Sequence, residues 1–389
     1  MGGTTSAPLV EVFSYKGKRY QVDATGTQLE VIDIEGDDGE CDRLPPHFKH
    51  CKVMVIDSIK SGTGRSKVND IYGKILGPIF KDIELEHEYI KTKTSTSIEE
   101  LAMRFPRDPA LLIFLSGDTS INEFVNGLNI EGNEKGGGQD ATQLVIFPIP
   151  VGTGNSLLLS FEFDEVVVAL KKLFSHDTSI KPLYTYEVKF PPGSYLTLEN
   201  TKVRDLTTPL RFLVVLSWAF HAAIVADSDT PMLRKFGVAR FKMAAMKNLA
   251  SKEVYEATTS VNDTAIDITQ YGYWLVTPAR KFEKTFVILP DGDIMKDELY
   301  LVAFNKNQDI LSIMNQVYDN GKHTTNENVI YRKLTREDKL DLQLDGGVSN
   351  SRFCVDGSIV NVPGSDSGSH VSVLFSGNHI NGWDLFVVS

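Results

Sequence analysis

Residues 53–56 run Val-Met-Val-Ile without a polar break, the pattern of a strand buried on both faces. The next apolar positions, Val68, Ile71, Tyr72, Ile75, Leu76 and Ile79, fall at helical spacing, and Ser61-Gly62-Thr63-Gly64 between them supplies a turn. The unit then recurs. Residues 83–90 read as a strand, 97–105 as a helix, 110–115 as a second buried strand, 120–128 as a helix and 143–147 as a further strand, after which helical stretches reach Phe174. Strands alternating with helices predict a parallel, doubly wound α/β sheet. Beyond about Lys181 the pattern becomes strand after strand, at 183–190, 195–198, 211–216, 273–276, 285–289, 299–304, 340–344, 351–355, 370–375 and 383–388, with one helical island at 231–249. That half is expected to be an antiparallel β-sandwich. At the other end, two short alternating stretches, 9–13 and 29–34, precede an acidic run and Pro45-Pro46. The reading is therefore a β arm and linker at 1–46, an α/β domain at 47–180 and a β-sandwich at 181–389. The Gly-rich segment 132–140 reads as a mobile surface insertion.

With 389 residues and 42% apolar content, the chain is large enough for two cores. Its formal charge of −11 argues against a nucleic-acid scaffold and makes any polyphosphate site a local feature. No run approaches the roughly 18 apolar residues of a membrane-spanning helix. The N-terminus lacks the basic and apolar regions of a secretory signal, although Met1-Gly2 with Ser6 fits a loose N-myristoylation pattern. Three cysteines are too few for a disulfide framework, so a cytoplasmic setting is expected. Cys41, His47, His50 and Cys51 lie close together, but their spacing is not that of a zinc finger, and a loop leading into a strand is the simpler reading.

Candidate chemistry gathers at glycine-bearing turns where a strand meets a helix: Ser61-Gly62-Thr63-Gly64, Ser116-Gly117-Asp118 and Gly152-Thr153-Gly154-Asn155. Such turns let backbone N–H groups approach phosphate, and a helix N-terminus adds positive potential, so the site should hold an anion. Neither the phosphate-loop pattern Gly-x4-Gly-Lys-Ser/Thr nor a Gly-x-Gly-x-x-Gly fingerprint is present.

The stretch Ser116-Gly117-Asp118-Thr119-Ser120-Ile121-Asn122-Glu123-Phe124-Val125-Asn126-Gly127-Leu128, followed by Pro150-Val151-Gly152-Thr153-Gly154-Asn155, resembles the paired blocks of the diacylglycerol kinase catalytic superfamily. Leu216-Ser217-Trp218-Ala219-Phe220 and Ala226-Asp227-Ser228-Asp229 are most similar to its sphingosine kinase branch. The resemblance implies an ATP-dependent lipid kinase with its active site in a cleft between the two domains, Mg²⁺ as cofactor, a lipid substrate and peripheral membrane contact. It places ATP against Ser61, Gly62, Thr63, Gly64, Thr92, Ser116, Gly117, Ser120, Glu123, Gly152, Thr153, Gly154 and Asn155, with Arg234 and Arg240 on the phosphates and Asp356 beside phosphate and metal. Asp118 would accept the proton from the lipid hydroxyl. Asp229 would pair with a sphingoid amine, or else belong to a polar turn capping the helix after Pro231. The two arginines would otherwise sit on a solvated helix face.

Three departures from the family pattern carry weight. Asp57 stands where the family has Asn and, if ionised, would repel phosphate. Thr119 replaces a glycine and could strain the turn. Ser358 removes a carboxylate. An active kinase, a diacylglycerol or ceramide kinase on the same fold, and a nucleotide- or lipid-binding scaffold all remain open at this point.

Overall fold

The computed structural model describes residues 8–34, 43–59, 61–62, 64–66, 69–128, 141–152, 155–162, 165–251, 253–345, 351–364 and 368–389. Cys41, Thr63, Thr153, Gly154 and the insertion at 132–140 lie outside the described residues. The chain divides into two compact units: one made of Met1–Gly152, Phe161–Pro182 and His379–Ser389, the other of Thr153–Ser160 and Leu183–Asn378.

The first unit is built on a parallel sheet. Lys52–Asp57 pairs with Glu88–Lys91 on one side and Ala110–Ser116 on the other, and Thr142–Pro150 follows. Every residue of Ala110–Ser116 is buried, which is why its run is uniformly apolar up to Ser116. Beside Thr142–Pro150, and parallel to it, lies Trp383–Val388 from the end of the chain. This corrects the expectation that 383–388 belongs to the β-sandwich. Its buried Trp383, Leu385, Val387 and Val388 would suit either core, and local pattern does not say which sheet a strand joins. Numbered along the chain, the parallel strands stand in the order 2-1-3-4-5. The direction of connection reverses between Lys52–Asp57 and Ala110–Ser116, and open α/β sheets bind ligands at that reversal, outside the strands' carboxyl ends.

The helix expected from Val68 is described from Tyr72 to Asp82, and its first part, Tyr72–Leu76, is widened into a π turn. Pro78, one residue beyond, has no N–H to close the ordinary i→i−4 bond onto Lys74. The N-terminal arm is a three-stranded meander, with Lys18–Asp23 as the middle strand absent from the sequence reading. It is held to the unit by a stack of Phe13 on Phe174 at 4.1 Å and by Lys18 to Asp82 at 2.7 Å.

The second unit is a sandwich of an eight-stranded and a six-stranded antiparallel sheet. Trp218, Tyr271, Trp274 and Phe353 from the larger sheet and Tyr186, Phe212, Leu342 and Val371 from the smaller share one apolar core. The other face of the larger sheet carries the helix Phe220–Ser228, whose Ala222 and Ala226 pack on Cys354 and Ile359. Small side chains allow that close approach. The helical island resolves into Pro231–Arg234 and Ala239–Ala250. The helices Phe220–Ser228 and Ile310–Tyr318 and the strands Ala257–Val261 and Val329–Leu334 were not anticipated.

Candidate active site

At the reversal point of the parallel sheet, the ends of Lys52–Asp57 and Ala110–Ser116 are bridged by backbone. Ser58 N donates to Leu115 O at 3.2 Å, and Val151 N to Ser116 O at 3.5 Å. Gly62 crosses this surface at φ +65°, and a β-carbon there would lie 2.6 Å from Val151 O, so only glycine fits. Gly64 N closes the turn onto Ser61 O at 3.0 Å. Thr92, buried at the end of Glu88–Lys91, accepts from Ile59 N at 3.2 Å. Ser120 donates to the Ser58 hydroxyl at 3.2 Å. Ser58, Ser61, Gly62, Gly64, Thr92, Ser116, Gly117, Asp118, Ser120 and Gly152 thus lie along neighbouring strand ends of one sheet.

Asp118 is the first residue of the helix Asp118–Gly127, after an extended Gly117. A carboxylate is electrostatically favoured at that end of a helix, and Asp118 is half-buried there. Thr119 sits within the helix and is not among the residues of positive φ, so the strain expected from its β-carbon is absent. Glu123 lies further along the same helix, where burial pushes its carboxyl up to about 7.

The expectation that Asp57 would present a repelling charge is also corrected. Its carboxylate, 2% exposed, takes Arg65 Nε at 2.8 Å and the Tyr89 hydroxyl at 3.0 Å. Arg65 also donates Nη2 to Leu115 O at 2.6 Å. One guanidinium therefore neutralises Asp57 and staples the glycine turn to the ends of two strands. Burial pushes the Asp57 carboxyl up from its ordinary range, against the pull of Arg65 and Tyr89. The sequence reading missed Arg65, although a cation directly after Gly64 was the available signal.

In the second unit the expected site residues are engaged within the protein. Asp229 Oδ1 accepts from Arg234 Nε and Nη2, both at 2.8 Å, so the residue assigned to the lipid amine and one assigned to phosphate hold each other. Arg240 is different: its buried Nε finds no acceptor among the described residues, and its guanidinium lies 4.8 Å from the Phe241 ring centre. Asp227 ties the helix Phe220–Ser228 to Arg352 at 2.7 Å and Asn248 at 3.0 Å.

Asp356 departs furthest from its expected role. Asp356-Gly357 forms the two-residue turn between Arg352–Val355 and Ser358–Asn361, with φ +47° and +92°. The buried carboxylate accepts backbone N–H groups of Leu213 at 2.6 Å, Val214 at 2.9 Å and Val215 at 2.7 Å. That is a clamp on the 213–215 segment. Among the described residues no group of three or more His, Cys, Asp or Glu side chains could hold a metal ion. His47, from the cluster weighed for zinc, is buried against Leu173 O at 2.7 Å, and burial lowers its pKa to about 4.

Residues 52–181 match the model of the diacylglycerol kinase catalytic domain. A curated relative, sphingoid long-chain bases kinase 1 of Arabidopsis thaliana, is 33% identical over 109 residues, a match covering 28% of this chain and 14% of that protein. Crystal structures named as diacylglycerol kinases from Bacillus anthracis strain Sterne share the fold at TM-scores of 0.56 and 0.53, with 14% and 13% identity, 87% of this chain and 97% of theirs being covered. Over residues 52–181, about a third of its length, the chain is thus similar to the diacylglycerol kinase catalytic domain, and it spans only a small part of the curated relative it matches.

Proposed function

We propose that the protein is a lipid kinase that transfers the γ-phosphate of ATP to the primary hydroxyl of a sphingoid base such as sphingosine. The observation that carries this reading is the position of Asp118, which opens a helix at the reversal point of the sheet. There the glycine turn stapled by Arg65 meets the helix N-terminus, a setting suited to polyphosphate. In the reaction the lipid hydroxyl oxygen forms a bond to the γ-phosphorus as the bond from that phosphorus to the bridging oxygen of ADP breaks. The hydroxyl proton passes to the Asp118 carboxylate. Phosphoryl transfer is governed mainly by positioning and charge stabilisation, so holding the hydroxyl in line matters more than the strength of the base. Mg²⁺ enters with the nucleotide as part of the substrate.

The sphingoid assignment is supported by the relative whose name states that substrate class and by Asp229, a carboxylate suited to a cationic amine. For it to serve, the amine must displace Arg234, which would free that guanidinium for phosphate. A second reading, a kinase for a neutral lipid such as diacylglycerol or ceramide, is favoured by the Asp229–Arg234 pair itself, since a carboxylate already neutralised needs no amine.

The test is phosphorylation of sphingosine, dihydrosphingosine, ceramide and diacylglycerol by the purified protein with labelled ATP and Mg²⁺. Sphingoid products are expected, lost by a factor of about 10²–10⁴ in Asp118→Asn at unchanged melting temperature and strongly reduced in Asp229→Asn. Product from neutral lipids alone would move the protein to the second reading. ATP binding without any lipid product would overturn both.

A further inference from the structure

Large apolar side chains exposed on a protein surface are usually scattered singly. Here several gather on one helical segment. In the helices Pro231–Arg234 and Ala239–Ala250 and the link between them, Met232 is 69% exposed, Phe236 53% and Met246 66%. The same twenty residues, 231–250, carry Arg234, Lys235, Arg240, Lys242 and Lys247 and no acidic residue, in a chain whose net charge is −11. Lys235 and Lys242 are exposed beside the apolar side chains. Glu199, at the tip of the hairpin of Tyr195–Leu198 and Thr201–Asp205, lies 4.0 Å from Arg234 Nη1. That contact sets the hairpin next to the helices, and its exposed Leu198 and Val203 extend the patch.

We infer that this helix pair and hairpin tip form the surface by which the protein docks on an anionic phospholipid bilayer. Apolar residues interleaved with lysines are the composition of interfacial helices, in which side chains such as Phe236 and Met246 enter the headgroup boundary while cations meet lipid phosphates. Charge selects this occupant, because two copies meeting through this same patch would bring the like charges of Lys235 and Lys242 together, whereas anionic headgroups attract them. The inference rests on the lipid-kinase reading for its choice of partner. It deepens that reading by placing the docking surface a few residues from Asp229.

The experiment is co-sedimentation of the full chain with phosphatidylcholine vesicles and with vesicles also containing phosphatidylserine. The wild type is expected to bind the anionic vesicles and to release as salt is raised. Lys235→Glu/Lys242→Glu is expected to lose roughly ten- to thirtyfold in partitioning to them, and Phe236→Ser/Met246→Ser to lose binding to both. Melting temperatures confirm that these surface variants fold. Phosphorylation of a detergent-dispersed lipid by the same variants should stay near wild type, while phosphorylation of vesicle-borne lipid falls with binding. Vesicle binding that neither variant weakens, no binding by the wild type, or concentration-dependent self-association abolished by Phe236→Ser/Met246→Ser would each overturn the inference. Failure of the lipid-kinase reading shows separately, as absence of product from dispersed lipid.

Discussion

The two units hold charged groups in opposite ways. In the α/β unit, the chain crosses the reversal point of a parallel sheet, and the turn there is shaped by glycine and by one buried ion pair beneath it, with Asp118 half-buried at the head of a helix. In the β unit, Asp229 is held by Arg234, Asp227 by Arg352 and Asp356 by three backbone amides. Parallel strands all end on one side and gather their loops there, so residues far apart in sequence meet by topology alone. Antiparallel strands end on both sides, and a charge among them is stabilised by whatever neighbour the sandwich supplies. The turn of the first unit is thus shaped by contacts beneath it, whereas in the second unit Asp229 is itself taken up by Arg234.

The largest expected effect tests whether the glycine turn depends on its ion pair. Arg65→Met leaves the Asp57 carboxylate buried with only Tyr89, and removal of one partner of such a pair costs about 3–5 kcal/mol. The loss should be smaller at pH 5 than at pH 8. A buried carboxyl without its cation keeps a proton in the folded state, and that stabilisation disappears as pH rises. Asp57→Asn combined with Arg65→Met should recover to within about 1 kcal/mol of wild type. Denaturant unfolding of the four proteins at both pH values reads the coupling; additive losses would show that the two side chains act separately.

The matching test in the β unit concerns Asp356. Asp356→Asn turns an amide N–H toward donors that now face a carboxylate oxygen, at a cost of about 2–3 kcal/mol in urea unfolding. Turnover of the folded fraction should keep its wild-type dependence on Mg²⁺ concentration. A shifted Mg²⁺ dependence at unchanged stability would return Asp356 to the metal and undo the clamp.

How much of this could be read from the sequence differed between the units for the same reason. Uniform apolar runs such as 110–115 announce buried parallel strands, and the glycine turns beside them mark strand-to-helix junctions, so most of the central α/β elements were legible locally. Asp57 and Arg65 each look like an isolated charge until the turn folds back, and their pairing is a tertiary fact. Asp356-Gly357 matched a family motif, yet Asp-Gly is also what a two-residue hairpin turn requires, and only the amides of 213–215 tell the two apart. Trp383–Val388 reads as a strand under any rule, but its sheet is fixed by pairing with Thr142–Pro150 across more than two hundred residues of sequence.

Glu123 offers a smaller effect inside the accessible site. With its carboxyl near 7 in the folded protein against an ordinary 4.5, the folded state holds the extra proton between those values. Its contribution to stability is therefore full below about 4.5 and is lost as pH rises through about 7. Glu123→Gln should match wild type near pH 5 and exceed it by on the order of 2 kcal/mol at pH 8. Melting curves of the two proteins across that range isolate Glu123 from His47 and His221, whose lowered values, near 4, act in the opposite direction. A difference independent of pH would show that Glu123 ionises normally.

The smallest effect lies at Ala219, where the strand Leu216–Ala219 runs directly into the helix Phe220–Ser228, which Asp229 follows. Its φ of 60° and ψ of −136° belong to a region that glycine enters freely and alanine only under strain of about 1–3 kcal/mol. The sphingosine kinase segment that this stretch resembles has glycine there. Ala219→Gly would relieve that strain but give up a buried methyl group, about 0.8 kcal/mol, and add backbone freedom to the unfolded chain, about 0.4–1 kcal/mol. At mid-range the balance favours the variant by about 0.5 kcal/mol, a rise of roughly 0.5–1 °C in melting temperature for a chain of this size. A fall instead would mean that the methyl group's packing against the sandwich outweighs the backbone strain. The helix carrying Asp227 and Asp229 would then be set by side-chain contact, in keeping with the internally paired charges of this unit.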